Sequence, residues 1–185
     1  MDRNQALDDL KAIRQIMDRT QREAGKHGGW SMVIAGVMWL IGFTATQFLP
    51  DGYINWTWAV ISIAGTGAMI WIATRSTRRS GVRTPLWWPI FLFWWALAVF
   101  DLLLVWLFDI TDGIQIGLVI LLTFAMGYAQ FGLFYHWLIT AAGASIGVLA
   151  ISAFLLIPSH FCLAMAILGG GLLIGSGLWI ACSRT

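Results

Sequence analysis

A polar opening of 29 residues gives way to long apolar runs, each closed by a short stretch of polar, glycine or proline residues. The runs occupy residues 30–49, 56–73, 86–108, 114–134, 137–157 and 161–180. A helix rises ~1.5 Å per residue and a bilayer core is ~30 Å thick, so segments of roughly 20 residues match the length a membrane crossing needs. The pattern predicts an all-α integral membrane protein with six transmembrane helices arranged as three hairpins, preceded by one amphipathic cytosolic helix. Pro50-Asp51-Gly52, residues 74–85, residues 109–113 and Pro158-Ser159-His160 supply the turns, whereas no turn residue marks the boundary at Tyr135-His136. Two domains follow: residues 1–29, a cytosolic helix and glycine hinge, and residues 30–185, the membrane domain.

Within the polar opening, residues 2–24 read as a helix, with Asp2 and Gln5 spaced like a cap and its N3 partner and with Gly25 as the stop. At 100° per residue Ala6, Leu10, Ile13, Met17, Thr20 and Ala24 form one narrow stripe, opposite Lys11, Arg14, Asp18 and Arg22. This is close to an a/d seam. Five acids alternate with six bases from Asp2 to Lys26, and the stripe carries no aromatic residue. That composition favours docking on protein over insertion into a lipid surface, so Leu10, Ile13 and Met17 are the expected contacts with a cytosolic protein partner or a second copy of the chain.

Composition agrees with a membrane protein: 59% of residues are hydrophobic, 11% are charged, and the mean hydropathy is +0.78. Charge placement then orients it. Six bases precede the first run, four (Arg75, Arg78, Arg79 and Arg83) lie between the second and third, and Arg184 follows the sixth, while Asp51, Asp109 and Asp112 occupy the opposite connections. By the positive-inside rule both termini are cytoplasmic. Trp30, Trp71, Trp87, Trp88, Trp137 and Trp179 then make an inner aromatic belt, with Trp56, Trp58 and Trp106 in the outer one. The net charge of +2 is accounted for by orientation and gives no support to nucleic-acid binding. The polar opening lacks the short apolar core and small-residue cleavage site of a secretory leader, so the first span is expected to be retained. Cys162 and Cys182 fall near opposite ends of one helix, about 30 Å apart at 1.5 Å per residue and out of disulfide reach.

Asp101 is the single charge inside a span. A carboxylate at bilayer depth costs roughly 2.5–3.5 kcal/mol on insertion scales, so it should face other helices or water. Trp94, Ala98 and Val105 share its face, and Gln47, Thr44, Gln115 and His160 are expected at comparable or shallower depth on the outer side. Two readings stay open. Asp101, Gln47, Gln115, His160 and Trp94 could form a water-accessible ion or solute pathway, or Asp101 could be held by a neighbouring Thr or Gln and serve packing alone. Gly65-Thr66-Gly67 and Gly169-Gly170-Gly171 lie near the middle of the second and sixth spans, where glycines either interrupt helices around a solute or let helices approach closely; Gly143xxxGly147 and Gly171xxxGly175 fit the second use. Gly67…Trp71 recurs as Gly175…Trp179 and more loosely as Gly127…Phe131, as three related hairpins would require. His160, Cys162 and the outer aspartates do not assemble a metal motif, and no HExxH, CxxC, phosphate-binding glycine loop or nucleophile elbow is present. Neither an enzyme activity nor a cofactor is implied.

The stretch 6–20, which ends Ile16-Met17-Asp18-Arg19-Thr20, together with Ile34-Ala35-Gly36 in the first span, resembles an uncharacterised family of bacterial six-span membrane proteins. Its members carry a related Ile, Met, acid, Arg and Ser/Thr arrangement before their first helix, and Ser-Gly pairs where this chain has Gly28-Gly29-Trp30-Ser31. The likeness covers about the first fifth of the chain. It implies a bacterial inner-membrane protein, in some members associated with a small winged-helix regulator, and supplies no activity and no functional residue. The expected function is therefore non-enzymatic: a sensory, regulatory or assembly role, with proton-coupled or other small-solute transport through Asp101 as the alternative.

Overall fold

In lipid, backbone N–H and C=O groups must be satisfied within the segment itself, which leaves the helix as the solution for single spans. The computed structural model describes residues 11, 28–80, 87–135 and 137–183, and apart from short connections these are helical, with no strand among them. We number the helices α1 (Gly28–Phe48), α2 (Asp51–Ser80), α3 (Trp87–Leu107), α4 (Gly113–Tyr135), α5 (Trp137–Leu156) and α6 (Pro158–Cys182). Five of them, all but α2, are long and apolar enough to cross a membrane. The predicted cytosolic helix, with Leu10, Ile13 and Met17, lies outside the described residues.

Local chemistry explains most of the ends. Asp112 caps α4, its Oδ1 accepting from Ile114 N at 3.2 Å. At the end of α3, Asp109 takes a left-handed φ of 50°, and the chain closes with Ile110 N donating to Val105 O and Asp109 N to Trp106 O. That is the usual double-bonded helix stop, with Asp in the position glycine most often fills. Pro89 sits in the first turn of α3, where its missing N–H costs nothing. Helix α2 departs from expectation: it starts at Asp51 rather than 56 and runs 30 residues through the stretch expected as a loop. The cause is legible in hindsight, because residues 74–80 hold no glycine or proline and the first breaker is Gly81.

The helices contact one another in the order α2, α1, α6, α5, α4, α3. Trp58 of α2 packs on Gly42 and Phe43 of α1 and donates its indole N–H to Thr46 Oγ1 at 3.0 Å. Helices α1 and α6 meet backbone to backbone at Gly29 with Gly177 and at Gly36 with Gly170. Phe154 of α5 meets Phe161 of α6 edge to face. Helices α4 and α5 pair antiparallel through Gly132 with Thr140, Gly143 with Ala129, and Gly147 with Ala125. The largest fully buried side chains among the described residues, Leu121, Ile146, Phe161, Met165 and Leu173, lie on α4, α5 and α6. Helix α3, the most apolar of the five, lies at the edge: 6% of its span is buried against 28–39% for the others. In water such a face would be unstable, and lipid removes that cost.

Candidate functional site

Asp101 lies on the one face of α3 that meets α4, and it is 3% exposed. Trp94, two turns earlier on the same face, stacks on Phe124 with ring centroids 5.5 Å apart and reaches Tyr128 at 4.8 Å, so aromatic packing holds the two helices together and buries the carboxyl. Leu97 covers Gly127 between them. The polar neighbour on α4 is Thr123. Its hydroxyl lies 3.1 Å from Val119 O as a donor, and among the described residues neither oxygen of Asp101 has a hydrogen bond of good geometry, with Thr123 close enough for a turn of its hydroxyl to supply one. A buried carboxyl without a donor is costly, and such groups in membrane helices mark sites of function more often than of packing. The sequence reading allows a neighbouring Thr or Gln, with Gln115 among the candidates, and does not single out Thr123. The signal was available, since Asp101 and Thr123 each lie eleven residues from Asp112 along antiparallel helices.

The other expected pathway residues assemble elsewhere. Gln47 Nε2 donates to Ser159 O at 3.3 Å, and Ser159 Oγ lies 2.9 Å from His160 Nδ1, so Gln47 and His160 share Ser159 as a neighbour at the first turn of α6. Gln115 is exposed on the first turn of α4. Trp94 alone keeps its expected place beside Asp101. The five residues therefore divide among Asp101 with Trp94, Gln47 with His160, and Gln115 apart, and no hydrogen bond joins the carboxyl to the rest. Among the described residues no three of His, Cys, Asp and Glu gather as a metal site would require. A shallow depression on the outer side of α3, lined by Leu92, Trp95, Ala96, Val99, Phe100 and Leu103, offers no polar side chain to a ligand.

The glycines are redistributed too. Gly143 is a close-packing position, as expected, and Gly147 makes an ordinary contact with Ala125. Gly171 and Gly175 face open space, and the positions that touch α1 are Gly170 and Gly177 instead. The sixth helix is continuous: Met165–Gly169 forms a π turn rather than a break, which inserts residues without ending the helix. Gly67 and Gly175 are both open and the tryptophans that follow, Trp71 and Trp179, are both exposed, whereas Gly127 is covered by Leu97 and Trp94; the first two copies of the repeat share an environment that the third lacks. Trp58, expected in the outer belt, is turned inward onto α1, while Trp56 and Trp106 are 74% and 79% exposed.

Compared with known proteins, the chain matches no family model, no curated protein and no solved structure.

Proposed function

We propose that the chain is a six-span protein of a bacterial inner membrane, with both termini cytoplasmic and its spans in three hairpins. In this reading it acts without enzymatic chemistry, in a sensory, regulatory or assembly role, through the helix that carries Leu10, Ile13 and Met17. The sixth span is α2, whose Val60 and Ile63 are 63% and 74% exposed, an arrangement suited to lipid. The placement of all eleven bases on alternate connections supports the orientation. One observation carries the choice of function: the polar side chains within the described helices form separate groups, and α6 runs unbroken past them, so the bundle has the character of a packed anchor.

Two measurements test this. Cys162, half-buried near one end of α6, and Cys182, exposed near the other, report on opposite sides. In single-cysteine variants, an impermeant thiol reagent applied to intact cells is expected to spare Cys182; reaction at Cys182 with Cys162 protected reverses the orientation. Leu10→Asp combined with Ile13→Asp is expected to abolish recovery of cytosolic partners or of a tagged second copy while the membrane domain stays folded, because an unpaired charge in an interface costs several kcal/mol, on the order of 3–5. Unchanged association would leave this helix a solvated lead-in.

The second reading, proton-coupled or other ion transport at Asp101, draws on a different observation, a buried carboxyl whose oxygens have no hydrogen bond of good geometry among the described residues. The two separate on flux through reconstituted vesicles.

A further inference from the structure

Helix α2 does not stop where its apolar run stops. It continues through residues 74–80, past Arg75, Arg78 and Arg79. At 100° per residue these three and Trp71 fall within one arc of about 100°. The Arg75 guanidinium carbon sits 5.0 Å above the Trp71 ring centroid, and both side chains are exposed. No Asp or Glu occurs between Asp51 and Asp101, so nothing along α2 or the first half of α3 neutralises this end of the helix.

We propose that this end of α2 is a binding site for the headgroup of an anionic phospholipid. Tryptophan settles at the headgroup level of a bilayer, and its ring face attracts a cation, so Trp71 positions the Arg75 guanidinium at the depth of the phosphates. Guanidinium forks match phosphate oxygens two at a time. Arg78 and Arg79 follow in the next turn of the helix. A base near an anionic membrane surface contributes on the order of fivefold in affinity. The lipid is favoured over a free phosphate ion because the aromatic platform lies where acyl chains meet headgroups. The proposal rests on the reading of α2 as a sixth span, and not on which side of the membrane is cytoplasmic.

The test uses the full-length protein in a neutral detergent, with phosphatidylglycerol or phosphatidylcholine added and retained lipid counted by native mass spectrometry. Wild type is expected to hold phosphatidylglycerol at least about tenfold more tightly, R75Q/R78Q/R79Q to lose that preference, and W71L to weaken it a few-fold. Each single Arg→Gln variant is expected to lose about fivefold, which keeps the question answerable if the triple variant does not fold. A folded triple variant that retains phosphatidylglycerol like wild type overturns the proposal, as does equal retention of the two lipids by wild type. Displacement of the lipid by inorganic phosphate at equal concentration would reassign the site to a soluble anion. A chain that stays dispersed without detergent would instead defeat the membrane reading.

Discussion

Gly143→Val is expected to lower the stability of the bundle in detergent by about 3 kcal/mol or more, and Gly36→Val to do the same, whereas Gly171→Val and Gly175→Val leave it nearly unchanged. A Cβ on Gly143 would lie 2.5 Å from Ala129 N and 2.6 Å from Ala125 O; one on Gly36 would lie 2.7 Å from Gly170 O and 2.9 Å from Ile174 N. These obstacles are backbone atoms of a neighbouring helix, which cannot turn aside as a flexible side chain does. The helices would have to separate, and every contact along the interface would weaken with them. At Gly171 and Gly175 nothing lies within 4 Å of the added atom. The comparison is severe because both pairs read as the same motif, Gly143xxxGly147 and Gly171xxxGly175. Thermal unfolding in one detergent, with all four variants side by side, decides it. Equal losses at 143 and 171 would mean that α6 packs through its other face.

The second large effect is at Asp101. Asp101→Leu is expected to raise stability, by about 1–3 kcal/mol, because it replaces a buried carboxyl that has no hydrogen bond of good geometry among the described residues with apolar atoms of similar branching. Asp101→Asn gains less, since an amide still brings unpaired polar atoms into the α3–α4 contact. Thr123→Val is expected to be close to neutral for the membrane domain, its hydroxyl being directed to Val119 O. This reverses the expectation for an Asp that serves packing, where Leu would destabilise and Asn would rescue. A loss of stability in both Asp101→Leu and Thr123→Val would show that carboxyl and hydroxyl bond one another. Flux provides the functional arm. A pH-dependent proton or cation flux in wild-type vesicles that vanishes in Asp101→Asn would establish transport, while vesicles tight at every pH would retire it and leave the anchor reading.

Sequence alone determined the class of molecule. An all-helical protein with spans at the lengths of its apolar runs follows from bilayer thickness, helix rise and the prohibition on unsatisfied backbone groups in lipid, all of which act along the chain and need no partner helix. Burial of Asp101 on the same face as Trp94 was also legible, because residues seven apart share a helix face and an isolated carboxyl must turn away from lipid. The extent of α2 could have been read from the missing breakers in residues 74–80. Tertiary structure decided everything that depends on which faces meet. In lipid an apolar side chain is equally at home against acyl chains or another helix, so hydrophobicity does not reveal which side of a span is buried. For that reason α3, the most apolar segment, could be the peripheral helix, Trp58 could turn inward, and Gly170 rather than Gly171 could touch α1. The same indifference left Gln47, His160 and Gln115 looking like companions of Asp101. Position along each helix is set by the sequence, but position around the bundle is set by packing, and packing gave the carboxyl Thr123 as its polar neighbour.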